Sequence, residues 1–109
     1  MERDRTPLYR LVESASLWER RIAVIASYHF IRHDQFQDSL ELSRRLLDDD
    51  HDLIHKAVGW MLREVGKRDR KLEEKFLGKY YKKMPRTMLR YAIEKFPGAL
   101  RKSYLKGEV

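Results

Sequence analysis

The sequence contains no cysteine. That excludes a disulfide framework and thiolate-based zinc or iron–sulfur centres, and it fits a reducing compartment. No apolar run approaches the roughly 20 residues of a membrane span. The charged start Met1-Glu2-Arg3-Asp4-Arg5 leads into no apolar stretch of the kind a secretory signal needs. A cytoplasmic location is the expectation. Gly-rich phosphate loops are absent, and spacing singles out no Ser-His-Asp set. Proline is scarce: Pro7, Pro85 and Pro97 are the three, and each lies between segments of helical periodicity. Acidic residues are scarce in one half only. Residues 1–52 carry 8 Lys/Arg and 11 Asp/Glu, a net of −3, whereas residues 53–109 carry 16 and 6, a net of +10. A segregated excess of this size suits either a surface facing a polyanion or a set of well-solvated helix faces.

What is present is helical. Apolar content is 42% over 109 residues, enough for one domain with one core. Apolar residues recur at three- and four-residue steps along most of the chain. A first helix is expected over about Pro7 to Ser14. Ser16-Leu17-Trp18-Glu19 reads as a capping box that opens a second helix running through Ile22, Ile25, His29 and Phe30. Asp34 is placed to cap a third, with Phe36, Leu40, Leu42, Leu46 and Leu47. Asp48-Asp49-Asp50 ends it and opens a fourth, which carries Leu53 to Val65 and stops at Gly66 as a C′ glycine. Asp69 caps the next. Pro85 fits the first turn of another, and Pro97-Gly98 breaks that one before a last turn or two over Ala99 to Leu105.

Three segments share the pattern basic, any, Ala, apolar: Arg21-Ile22-Ala23-Val24, His55-Lys56-Ala57-Val58 and Arg90-Tyr91-Ala92-Ile93. The alanines are 34 and 35 residues apart, with one further helix in each interval. A helix pair at that period is the mark of an α-solenoid. The expected fold is therefore all-α with about 6–7 helices, an α-solenoid of antiparallel helix pairs of the HEAT or TPR kind, the alternative being an ordinary helical bundle in which the spacing is coincidental. The small alanines allow close packing, and the basic residues beside them would lie on or next to one continuous face.

Two clusters offer chemistry. Trp60 and Arg63, three apart on one helix, present an aromatic plane beside a planar cation, as nucleic-acid surfaces do. The competing reading is a core Trp with a solvated Arg. Tyr80-Tyr81-Lys82-Lys83-Met84-Pro85-Arg86 is an aromatic–basic turn that suits a sugar-phosphate backbone or, equally, a core tyrosine among solvated lysines. His51-Asp52-Leu53-Ile54-His55 mimics the two-histidine zinc pattern, but Asp is one methylene short of the usual Glu base and no third ligand is evident. A capped helix with surface histidines accounts for these residues, and no metal is expected.

Three blocks together resemble the DNA alkylation repair family of AlkD type: Ser16-Leu17-Trp18-Glu19-Arg20-Arg21-Ile22-Ala23-Val24, His51 to Glu64 with its Gly59-Trp60-Met61-Leu62-Arg63-Glu64 core, and Met84-Pro85-Arg86-Thr87-Met88-Leu89-Arg90-Tyr91-Ala92-Ile93-Glu94-Lys95-Phe96. The resemblance covers about Tyr9 to Leu105, and corresponds to the C-terminal part of longer family members. It implies a HEAT-like solenoid that grips duplex DNA on a basic face. It also implies metal- and cofactor-free hydrolysis of the N-glycosidic bond of N3- or N7-alkylated purines. Arg63 then falls on the DNA backbone. Trp60, Trp18, Arg20, Arg21, Lys56, Lys67, Arg86 and Arg90 complete the DNA-binding set, with Trp18 equally readable as a core anchor. The family carboxylate aligns with Ala15 and a family aromatic with Leu11, which leaves Glu13 as the catalytic candidate. A non-catalytic DNA-binding or protein-interaction scaffold is the alternative. An uncapped solenoid face is expected to pair with a second copy as a homodimer.

Overall fold

A computed structural model describes residues 5–109; the start Met1-Glu2-Arg3-Asp4, read above against a signal peptide, lies outside the described residues. The described residues form eight α-helices: α1 (Thr6–Val12), α2 (Leu17–Ala26), α3 (Tyr28–Ile31), α4 (Gln37–Arg45), α5 (Asp52–Arg68), α6 (Arg70–Tyr80), α7 (Arg86–Ala92) and α8 (Gly98–Lys106). A 3-10 turn, Tyr81–Lys83, links α6 to α7. Among these residues no helix is long and apolar enough to cross a membrane.

The repeat dictates the layering. Ala23, Ala57 and Ala92 are all buried, on α2, α5 and α7. These helices form one row, with α5 in the middle packed against α2 on one side and α7 on the other. α4 and α6 pack on α5 from a second layer, and α8 packs on α7. The molecule measures 39 × 31 × 18 Å, and its short dimension is that of two helix layers. α5 is the spine. Ile54, Ala57, Val58, Met61, Leu62 and Val65 recur at three- and four-residue steps and are buried completely or nearly so.

Backbone contact is closest between α5 and α7. A Cβ built on Gly59 would stand 2.5 Å from the Tyr91 Cβ and 2.6 Å from the Met88 carbonyl oxygen. Only glycine permits this approach.

Several expected boundaries move. Ser16 does cap α2, accepting from the Glu19 amide at 3.4 Å. The Glu19 carboxylate, however, accepts from the Ser14 hydroxyl, and Ser14 Oγ in turn accepts from the Ser16 amide at 3.0 Å. The expected second helix divides at Ser27. Its buried hydroxyl donates back to the Val24 carbonyl at 2.5 Å and lies 3.0 Å from Ser39 Oγ. Such back-bonding competes with regular helix geometry. Asp34 caps nothing: it adopts the left-handed conformation, φ 59°, and α4 starts after Phe36 without a side-chain cap. The Asp34 carboxylate instead accepts from Arg68 at 3.1 Å. α5 is capped by His51, whose Nδ1 accepts from the Leu53 amide at 3.4 Å.

Gly66 does not end α5. The helix continues to Arg68 and meets α6 at Asp69, whose carboxylate accepts from the Leu72 amide at 3.1 Å. The glycine is needed in mid-helix for a different reason. A Cβ there would fall 1.8 Å from Oε1 of Glu73, a carboxyl only 1% exposed. Glu73 Oε2 has no hydrogen-bond partner. Burial first, then the neighbouring Glu74 charge, pushes this carboxyl up to about 9, against the opposing pull of Arg70 and Arg63.

Candidate nucleic-acid interface

The candidate site lies on the outward side of the α2–α5–α7 row. On α5, Lys56, Trp60, Arg63 and Lys67 follow at i, i+4, i+7 and i+11, so they form one stripe opposite the buried face. Trp60 is half-buried and tilted against the Tyr28 ring, with centroids 6.1 Å apart. It is both wall and anchor: its packing fixes the helix surface on which the cations stand.

Each cation of the stripe meets a carboxylate. Lys56 pairs with Asp52 at 3.1 Å and Lys67 with Glu64 at 3.0 Å. The Arg63 guanidinium donates from Nη1 to Glu94 Oε2 at 2.6 Å, with Glu64 3.8 Å from its Nε. The Arg63 side chain is 19% exposed, whereas Glu94 is half-exposed. Sequence reasoning missed Glu94. The signal for it is the repeat itself: Glu94 lies 31 residues beyond Arg63, just past the next repeat helix, where the row brings it back against α5.

The other expected DNA contacts separate. Arg20 is a strut. Its Nε donates to Asp49 Oδ2 at 2.7 Å, and Nη1 donates to the carbonyls of Ser14 and Ala15 at 3.1 and 3.0 Å. Asp49 also accepts from the His51 amide at 2.9 Å, so the acidic run is stitched to both α2 and α5. Arg86 donates to the Leu105 carbonyl at 2.7 Å and ties α7 to α8. Arg90 is exposed on α7. Arg21 is half-buried beside a shallow hollow of about 390 Å³ that it shares with Trp18, Ile22, Ile25 and Ala26. Trp18 is 61% exposed and Ile22 54%, so Trp18 is not a core anchor.

The remaining motifs resolve into structure. Tyr81 is a core residue. Its hydroxyl donates to the Val109 carbonyl at 2.9 Å and its ring meets Tyr104 edge-on at 5.2 Å. Lys82 and Lys83 beside it are exposed. The His55 ring nitrogen Nε2 contacts the Asp49 carbonyl, and His51 is occupied as a cap. No group of three or more His, Asp or Glu among the described residues is arranged to hold a metal. Glu13 ends α1 and pairs with Arg45 of α4 at 3.1 Å. Arg63 pairs instead with Glu94, two residues past the end of α7, so the structure does not bring Glu13 and Arg63 together. Ala15 is exposed and contributes only its carbonyl.

Burial changes the charge of the second half. A carboxyl held at about 9 is protonated at neutral pH, so Glu73 subtracts nothing from the cations around it. The exposed cations here include Lys67, Arg68, Lys71, Lys75, Arg90 and Lys102, against exposed Asp69, Glu94 and Glu108.

Comparison with known proteins agrees with the three sequence blocks. The family model described as DNA alkylation repair enzyme matches residues 1–96. No curated protein and no solved structure matches the chain. A helical-repeat fold, the positions of the blocks on α2, α5 and α7, and a family match over most of the length lead to one conclusion: the chain belongs to the DNA alkylation repair enzyme family, with a role in the repair of alkylated DNA.

Proposed function

We propose that the chain binds duplex DNA through the outward face of the α2–α5–α7 row, and that this grip serves excision of N3- or N7-alkylated purines. One observation supports it above all: three cations and a tryptophan share the single outward stripe of α5. Two of their carboxylate partners, Asp52 and Glu94, are more than half exposed, whereas Glu64, which pairs with Lys67 and faces Arg63, is 12% exposed. The exposed Lys56–Asp52 pair is worth about 0–1 kcal/mol. DNA phosphates take the places of Asp52 and Glu94, and counterion release supplies the gain. Arg63 offers a planar fork suited to a phosphate.

The expected result is binding of a short duplex that weakens steeply with salt. Combining Lys56→Ala, Arg63→Ala and Lys67→Ala should lower the slope of log K against log salt by about three, roughly one per lost phosphate contact. Fluorescence anisotropy across a salt series measures this. An unchanged slope, or no binding at low salt, removes the proposal.

For hydrolysis, a cationic purine is already a good leaving group. The protein has only to stabilise an oxocarbenium-like sugar and orient a water, tasks for a carboxylate and an aromatic face. Glu13 is 72% exposed in its pair with Arg45, and Ala15 carries no acid. The alternative is a chain that grips DNA without cleaving. Release of 7-methylguanine from methylated duplex, measured beside Ala15→Asp, separates the two readings.

Trp18 and Ile22 are also where a second copy would pair. Two side chains of this kind cover a few hundred Å², short of the ~800 Å² per partner of a stable interface. A homodimer built on them alone is therefore weak, and a clean monomer in sedimentation at micromolar concentration would remove it.

A further inference from the structure

The second layer carries a feature that the DNA face does not use. α4 and α6 both pack on α5, but they leave a groove between them. It consists of two hollows, of about 500 and 290 Å³, that share Gln37, Leu40 and Leu72 and so run into one another. The floor is apolar: Phe36 and Leu40 from the α4 side, and Leu72, Phe76 and Tyr80 from α6. The three α6 residues stand at i, i+4 and i+8, along two helical turns or about 12 Å. All five are packed against or within the core, and the Phe76 and Tyr80 rings lie 4.9 Å apart. The floor is therefore held in place before any partner arrives, which lowers the ordering cost of binding.

The walls are cationic. Lys75 and Lys79 rise from α6 between the floor positions; both are exposed, and neither has an ion-pair partner among the described residues. On the α4 wall Arg44 stands with Glu41. Glu41 is hydrogen-bonded by both Arg44 and Arg45, so two cations enclose one carboxylate. At the far end the charges cancel, Arg5 with Asp38 and Arg68 with Asp34.

We propose that the α4–α6 groove is a docking site for an acidic amphipathic helix of a protein partner. Leucine-sized side chains one turn apart on such a helix match the spacing of Leu72, Phe76 and Tyr80. Carboxylates on its flanks meet Lys75 and Lys79. Duplex DNA is a poor occupant, because five apolar side chains offer nothing to a phosphodiester. A second copy of this chain is also a poor occupant: its one acidic run, Asp48 to Asp50, is tied down through Asp49 to Arg20 and His51.

The test uses the full chain and a labelled synthetic helix with leucines at i, i+4 and i+7 and glutamates on both flanks. The expected result is saturable binding in fluorescence anisotropy, weakened on the order of tenfold by Lys75→Glu with Lys79→Glu. Those positions are exposed, and circular dichroism confirms that the variant folds. Leu72→Ser, checked in the same way, should weaken binding without changing its salt dependence. Equal affinity for a scrambled peptide, full displacement by duplex DNA, or indifference to the lysine reversal overturns the proposal. Because the site lies on the opposite layer, failure here leaves the DNA reading untouched, and failure of DNA binding leaves this one.

Discussion

Replacing Glu73 by glutamine is expected to flatten the pH dependence of stability. The folded carboxyl titrates at about 9, against 4.5 as the ordinary value for an unfolded chain. Between those two values the folded protein holds a proton that the unfolded chain has released. The contribution of Glu73 is therefore fully present below about pH 4.5. It diminishes as pH rises and is lost once the folded pKa is passed. The slope is up to about 1.4 kcal/mol per pH unit. From pH 6 to pH 8 the chain should lose on the order of 3 kcal/mol through this one group, a fall in Tm of roughly 10–20 °C. Glu73→Gln stays neutral throughout, so its Tm should vary far less over the same range. Calorimetric melts of both proteins at pH 6, 7 and 8 decide the matter. Parallel lines would mean that Glu73 is ionised and paired, contrary to its isolated Oε2. The effect depends on Gly66: the missing Cβ is the space in which the carboxyl sits.

The second large effect is expected at Gly59. Gly59→Ala places a methyl 2.6 Å from the Met88 carbonyl oxygen. That oxygen is backbone, so relief requires α7 to move away from α5, and this is the most extensive helix contact in the molecule. Overpacking of this sort costs about 1–3 kcal/mol, or roughly 5–20 °C in Tm for a chain of this size. Gly78→Ala is the matched control. It is also helical, but nothing lies within 4 Å of its added Cβ. There the same methyl should stabilise by about 0.5–1 kcal/mol, through better helix propensity and a less flexible unfolded chain. If both variants move in the same direction, the close approach at Gly59 is not what holds α5 and α7 together.

Gly66 and Asp34 mark the limit of what local pattern determines. Helix identity was legible because periodicity is a local property: the buried positions of α5 recur as the apolar spacing requires. The row of α2, α5 and α7 was legible through Ala23, Ala57 and Ala92, since a repeat carries its own packing instruction. At Gly66 local pattern points to a helix end, because the usual reason for a glycine, a left-handed C′ position, applies just as well. Its actual reason is a carboxyl on the next helix. Asp34 differs from its expected cap role for the same kind of cause, its partner Arg68 lying 34 residues away.

The candidate site divides in the same manner. The stripe of Lys56, Trp60, Arg63 and Lys67 follows from helix spacing alone. That Arg63 is held by Glu94, that Arg20 is a strut to Asp49, and that Glu13 is paired away from Arg63 are outcomes of how distant segments meet. So the sequence by itself determined an all-helical repeat, its family, its cationic second half and the face of α5 that points outward. Each of these depends on spacing and composition, which a chain carries before it folds. Only the tertiary structure decided which cations are already engaged, which carboxyl stays protonated and where a groove is left between α4 and α6. Those depend on distances between side chains far apart in sequence, and burial sets them only once the helices have packed.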